Sequence, residues 1–257
     1  MARSDFQSPR LYIDAPLAAN ATVPLDRDHG NYLGNVLRLK AGDAVLVFNG
    51  RDGEWRSVIE GAKRPSMLRI DAQTRAQSLP SDLRYVFAPL KHARLDYMVQ
   101  KAVEMGASHL QPVLTRFTQV NRVNLERMRA NVIEAAEQCG ILNIADVAEP
   151  LPLERFLATR DGNRLLIFCD EDADVANPVA ALQSATVSGV DVLIGPEGGF
   201  APDEREQLLR QSCVRRLSLG PRILRADTAA VAALAVVQTA LGDWNVGDWN
   251  LGDRNKG

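Results

Sequence analysis

Three short stretches near the start of the chain mix apolar and polar residues in strand-like fashion: AVLVFNG (44–50), EWRSVIE (54–60) and SMLRIDAQ (66–73). Rich in β-formers, they predict strands. NGRDG, between the first two, supplies the Asn, Asp and Gly that a hairpin turn requires. Before them, DHGNYLGNVLRLKAGD (28–43) reads as a brief helix leading through Leu37 and Leu39 into the first strand, with Gly42-Asp43 as a turn.

From residue 83 the pattern changes. YVFAPL (85–90), LLIFCD (165–170) and VDVLIG (190–195) are continuous apolar runs, as expected of strands covered on both faces in a parallel sheet. Between them apolar residues recur at helical spacing from Leu95 to Met105 and stop at Gly106; a second helix is predicted from Leu125 to Cys139, between Asn124 and Gly140. PDEREQLLRQ (202–211) reads as a third helix, with Pro202 in its first turn, and DTAAVAALAVVQTAL (227–241) as a fourth, apolar on almost every side. Strands alternating with helices predict an α/β layer with a parallel sheet. The expected organisation is a small β-rich domain over 1–76, the linker QSLPSD at 77–82, an α/β domain over 83–243, and a flexible tail over 244–257. That tail continues a Gly-Asp-Trp-Asn repeat whose period is too short for a solenoid unit.

With 46% apolar and 24% charged residues, the composition is that of a globular protein. No apolar run reaches the roughly 18 to 20 residues of a membrane helix, and MARSDFQSPR lacks the core of a signal peptide, so a cytoplasmic location away from membranes is expected. Cys139, Cys169 and Cys213 are far apart and read as buried thiols; neither they nor His29, His92 and His109 have metal-ligand spacing, and no metal is expected. The net charge of −2 conceals an asymmetry, because residues 1–130 carry 19 Lys and Arg against 13 Asp and Glu, a balance of +6. A polyanion surface or scattered solvated charges would both account for it.

Candidate chemistry gathers in two segments, IGPEGGF (194–200) and LSLGPRILRADTAAVAAL (217–234), each read as a strand, a Gly-Pro turn and a helix. In a parallel sheet both loops leave the same edge and share one pocket. The pocket lacks a phosphate signature: no Lys-Ser or Lys-Thr follows Gly199, no G-x-G-x-x-G occurs, and Glu197 would repel a pyrophosphate. A nucleoside-like ligand that is not anionic fits better.

These segments, together with NYLGNVLRLKAGD, KHARLDYMVQKAVEMGASHLQPVLTRFT (91–118) and EAAEQCG (134–140), resemble the RsmE family of SPOUT-class RNA methyltransferases. The resemblance covers most of the chain. It implies an α/β trefoil-knotted methyltransferase domain with a parallel sheet behind a PUA-like β-barrel, S-adenosylmethionine as cofactor, a homodimer, and methylation of uridine N3 in 16S rRNA of the small ribosomal subunit. Cofactor contacts would come from Leu193, Gly195, Pro196, Glu197, Gly198, Gly199, Leu219, Gly220, Ile223 and Leu224. Glu197 would suit the sulfonium, and Ile223 with Leu224 would cover adenine. Arg225 would stabilise charge developing on uracil; Asp227 is either a general base or the cap of the last helix. Arg10, Arg38, Lys40, Lys91, Arg94, Lys101, Arg116 and Arg122 are candidate RNA contacts. Two positions depart from the family pattern: Ile141 replaces an arginine, and Asp227 replaces a glutamate. Two other activities remain compatible, a ribose 2′-O-methyltransferase and a catalytically silent rRNA-binding assembly factor.

Overall fold

The β-rich stretches fold into a five-stranded sheet in the order β1 (Arg10–Tyr12), β3 (Ala44–Phe48), β4 (Glu54–Glu60), β5 (Met67–Arg75) and β2 (Thr22–Pro24). This computed structural model describes residues 8–61, 64–91, 93–120, 122–170, 173, 177–183 and 188–244; His92 and almost all of the expected tail lie outside them. β1 runs parallel to β3 and the other pairs are antiparallel. The expected hairpin joins β3 to β4. At its turn, Asn49 Oδ1 accepts from the amides of Arg51 (3.0 Å) and Asp52 (2.8 Å), a side chain mimicking a backbone turn. Among the described residues no ladder joins β1 to β2.

The apolar faces of the sheet meet over Val45, Val47, Ile59, Leu68 and Ile70, and Leu33 seals them. Leu33 arrives by an unexpected route. The helix anticipated after residue 28 is α1 (Arg27–Asn31), which continues as one π-helical stretch, Tyr32–Val36, closed by a Leu37 N–H to Tyr32 carbonyl bond of 2.9 Å. Such wide turns are uncommon and rotate the following residues relative to an α-helix.

Glu54 lies at the centre of this unit with only 1% of its side chain exposed. It accepts from Arg10 Nε (2.9 Å), Arg75 Nε (3.0 Å) and Nη2 (2.6 Å), and Thr74 Oγ1 (2.8 Å). Arg75 also donates to the Gly140 carbonyl at 2.9 Å, while Phe48, Ala136 and Leu142 are buried together. The first compact unit is therefore discontinuous in sequence, residues to Leu79 together with Ala136–Ile144, where a single cut at the linker was expected.

The second unit holds a parallel sheet ordered β12 (Val214–Leu217), β10 (Leu165–Cys169), β11 (Val190–Ile194), β6 (Leu83–Phe87), β7 (His109–Leu114) and β8 (Asp146–Val147), with β9 (Leu151–Pro152) on β7. Its helices are α2 (Ala93–Glu104), α3 (Leu125–Cys139), which runs on into the first unit, α4 (Leu153–Thr159), α5 (Pro178–Gln183), α6 (Pro202–Leu209) and α7 (Ala226–Leu241). α2 and α3 end at Gly106 and Gly140, both with positive φ, as their sequences indicated. The chain fills the sheet from β6 to β8 in one direction and then adds β10 to β12 on the other side, with β11 between β10 and β6. All the strands share one carboxyl edge, where open α/β sheets bind ligands.

At the opposite end of β11, Asp191 is fully buried beneath three guanidinium groups: Arg164 Nε at 2.8 Å, Arg84 Nε at 3.1 Å and Arg160 Nε at 3.6 Å. Removing one partner of a buried ion cluster leaves the remaining charges desolvated. Asp191→Asn is expected to lower unfolding free energy by about 3–5 kcal/mol, measured as a lower urea midpoint at unchanged slope.

Burial raises the Glu54 carboxyl, but the bonds from Arg75, Thr74 and Arg10 outweigh it and hold the group below its usual 4.5. The stability this contributes is fully present above pH 4.5 and is lost as pH falls from there through the folded value. In thermal scans across the acid range, Glu54→Gln should be less stable at neutral pH and show a shallower acid decline than the parent.

Candidate functional site

A cavity of about 620 Å³ opens where β10, β11 and β12 end, within the second unit. Its size is that of a small-molecule or cofactor site, roughly 300–1,000 Å³. The loop Gly195–Phe200 forms one wall. A Cβ at Gly195 would stand 2.6 Å from the Phe200 ring, so the position requires glycine; Phe200 in turn packs edge-on against Phe168 at 5.2 Å. The Gly199 amide bonds to the Pro196 carbonyl at 2.9 Å and closes the turn. At the start of α6, Ala201 has no side chain to act as a cap. The Glu204 carboxylate instead accepts from the Ala201 amide (2.9 Å) and, through its other oxygen, from the Arg116 amide (2.8 Å).

Ser218 to Arg225 form the other wall. Gly220 turns it with φ of 100°, Leu224 is half-buried, and Ile223 stands 90% exposed at the mouth. Arg225 is the N-cap residue of α7 and is exposed; its carbonyl accepts from the Ala229 amide at 2.7 Å, and its side chain makes no hydrogen bond or ion pair to a described residue. Asp170, buried at the end of β10, receives Arg205 (2.9 Å) and Arg216 (2.8 Å) on one oxygen. Beside it, burial and then the Asp170 charge push the Cys169 thiol up to about 12, so it stays protonated.

Arg94, near the start of α2, ties the two walls together. Its Nη1 is bonded to Glu197 on the first loop and its Nε to Asp227 at 3.1 Å in the first turn of α7. Burial raises the Asp227 carboxyl; the Arg94 bond and the backbone amides of Thr228 and of Asp227 itself outweigh it and hold the group below its usual value.

Gly195 to Gly199, Leu219, Gly220, Ile223, Leu224 and Arg225 all line the cavity where the sequence placed them. Leu193 does not. It is wholly buried among Val86, Leu166 and Phe168 and supports the wall from behind, because alternate residues of a strand point to opposite faces. Asp227 is not the helix cap either, since α7 begins one residue before it. Several expected RNA contacts have internal partners instead: Arg10 is buried on Glu54, Arg94 joins Glu197 and Asp227, Lys101 bonds Glu104 at 2.7 Å, and Arg116 bonds Asp203 at 2.6 Å. Arg38, Lys40, Lys91 and Arg122 are exposed, and their side chains have no partner among the described residues. Cys139 and Cys213, expected to be buried, are exposed.

Asp170, Arg205 and Ala229 were missed by the sequence reading. The only local signal was an acid closing the apolar run LLIFCD; Arg205 and Ala229 reach the cavity through helix placement. A second cleft, of about 1,070 Å³, lies in the first unit between the π-helical stretch and the turn before β5. Arg27, Arg38, Lys40 and Arg64 line it, none of the four side chains bonded to a described carboxylate, together with Asp26 and Asp28.

If Arg94 holds both walls in register, Arg94→Ala should weaken binding of S-adenosylmethionine severalfold in calorimetry while circular dichroism is unchanged, with Asp227→Asn giving a smaller loss. Equal affinity in parent and variant would remove Arg94 from that role.

The chain matches the RNA methyltransferase domain family over residues 77–238 and the RNA methyltransferase PUA domain family over residues 25–68. It is 33% identical over 232 residues to ribosomal RNA small subunit methyltransferase E of Rickettsia conorii, covering 89% of this chain and 94% of that protein. Its counterpart of the same name in Synechocystis is 30% identical, covering 90% and 78%. The crystal structure of ribosomal RNA small subunit methyltransferase E from Neisseria gonorrhoeae, bound to S-adenosylmethionine, superposes with a TM-score of 0.81 at 25% identity, covering 91% of this chain and 98% of that one. A methyltransferase of Legionella pneumophila in complex with the same cofactor gives 0.78 at 29% identity, covering 91% and 98%. With its two loops forming one cavity and these matches running through both units, the chain belongs to the ribosomal RNA small subunit methyltransferase E family.

Proposed function

We propose that this protein transfers a methyl group from S-adenosylmethionine to N3 of a uridine in 16S rRNA of the small ribosomal subunit. The observation that carries the reading is the single cavity built from GPEGGF and LGPRILR at the carboxyl edge of a parallel sheet. Its lining suits the cofactor: Ile194, Leu219 and Leu224 offer apolar cover for a planar base, Asp170 and Glu197 are acids that would suit a cationic sulfur, and Arg222 is a cation for a carboxylate. When bound, the cofactor supplies an electrophilic methyl group on a positively charged sulfur.

Uridine N3 lies on the pairing edge, so the base must be unpaired and turned into the cavity. Its proton, with a pKa above neutrality, has to leave as the new bond forms. Asp227, held below its ordinary value by Arg94 and outside the cavity lining, is a poor base for that proton, which passes to solvent. Arg225 acts instead on the charge. Its guanidinium stands at the lip without a partner among the described residues and stabilises the anion developing on the uracil carbonyls.

For the RNA backbone, Arg38 and Lys40 with Arg27 and Arg64 form the basic cleft of the first unit, and Lys91 and Arg122 are exposed in the second. We also infer a homodimer, a knotted chain and a cytoplasmic location. The half-buried Val231, Ala232, Ala235 and Val236 on α7 favour a subunit contact, and the placement of β11 between β10 and β6 favours threading. No helix among the described residues is long and apolar enough to cross a membrane.

The test is methyl transfer from labelled cofactor to small subunits, and to naked rRNA, from cells lacking this protein, with the product nucleoside identified by mass spectrometry. Label should appear in 3-methyluridine, and Arg225→Ala should lower kcat by roughly two orders of magnitude at unchanged cofactor affinity. Label in a 2′-O-methyl nucleoside would replace the N3 assignment; RNA and cofactor binding with no transfer would identify a silent assembly factor.

A further inference from the structure

We infer that Phe117 is the platform on which the acceptor base stacks. The inference rests on the reading above and adds to it the contact that would hold the uracil ring at the cavity mouth.

Phe117 lies in the turn after β7 and is 45% exposed. It sits against the cofactor loop: a Cβ at Gly198 would be 3.3 Å from Phe117 Cβ and 3.6 Å from Cγ. Gly198 lines the cavity and is itself exposed, so Phe117, although not one of the lining residues, stands next to that wall.

The turn that carries the ring is held on every side. Thr118 Oγ1 accepts from the Thr115 amide (2.8 Å) and lies 2.9 Å from Thr115 Oγ1, and the Thr118 amide bonds to the Thr115 carbonyl at 3.2 Å. The Arg116 amide bonds to Glu204 Oε1 (2.8 Å) and its guanidinium to Asp203 (2.6 Å). Glu204 also holds the Ala201 amide, so one carboxylate fixes the turn with Phe117 and the end of the cofactor loop together. An aromatic ring presented by an anchored turn loses little freedom when a ligand arrives.

The surroundings fit a base better than an apolar partner. Arg222 and Arg225 are exposed on the other wall of the cavity that Gly198 lines, neither side chain with a partner among the described residues. An exposed aromatic face beside free guanidinium groups is the combination by which proteins take hold of unstacked nucleotides. Every base has a π-face, so stacking would bring the ring into the cavity and leave recognition of uracil to polar groups such as Arg225.

The test uses the full chain with Phe117→Ala, Phe117→Leu and Phe117→Trp, assayed on small ribosomal subunits from cells lacking the protein. Phe117→Ala should raise KM for the subunit roughly tenfold, in keeping with the usual strength of base–aromatic stacking, at unchanged cofactor affinity. Phe117→Trp should restore KM, and Phe117→Leu, of similar apolar bulk without a π-face, should not. Rescue by leucine, an equal loss of cofactor binding, or a change in oligomeric mass on Phe117→Ala would each overturn the proposal, the ring then being wall packing or a contact between copies of the chain. A parent protein that binds cofactor yet methylates no subunit would fail the proposed function itself, a result separate from parent and Phe117→Ala methylating with the same KM, which would fail the stacking proposal alone.

Discussion

Five residues of β11, buried at every position, sit between β10 and β6 and carry charge at one end and cavity-lining backbone at the other. Asp191 near its start collects three arginines, and Gly195 just past its end begins the cavity wall. A strand paired on both sides and covered on both faces has no freedom to slide, since a one-residue slip would move Asp191 into the core and Val192 into the ion cluster. The position of the GPEGGF loop is therefore set by packing and charge at a distance from it.

The cations show a similar division. Arg10, Arg75, Arg84, Arg94, Arg160 and Arg164 are all used to satisfy carboxylates within the protein. The excess of positive charge in the first half of the sequence thus overstates what is available to RNA. Cationic side chains without a described partner line the cleft beside the π-helical stretch and stand at the cavity lip, as Arg222 and Arg225 do, with Lys91 and Arg122 exposed elsewhere. Total charge is a property of composition; available charge is a property of pairing.

Much of the fold was legible because the relevant signals are local. Strand β4 and helix α3 lie where alternation, Asn124 and Gly140 placed them, and nearly all of the cavity lining expected from the two Gly-Pro loops is in place. β1, β2, β8 and β9 are two or three residues long and carry no period that could announce them. Leu193 was misread because a strand residue next to a binding loop can face either side, and only the register shows which. The roles of Arg94 and Arg10 depend on acids 133 and 44 positions away, beyond any local pattern. The discontinuous first unit has the same origin, a carbonyl at Gly140 that only the folded chain brings to Arg75.

Arg225 occupies the N-cap position of α7, yet no side chain caps the helix there. Serine, threonine or aspartate would be the stabilising choice at such a position, by about 1 kcal/mol, through bonds to the first amides of the helix. Selection for a sturdier helix and selection for an open, cationic lip pull this one residue in opposite directions. A variant chosen only for heat resistance would be expected to change Arg225 early, and to give up the positive charge at the cavity lip in doing so.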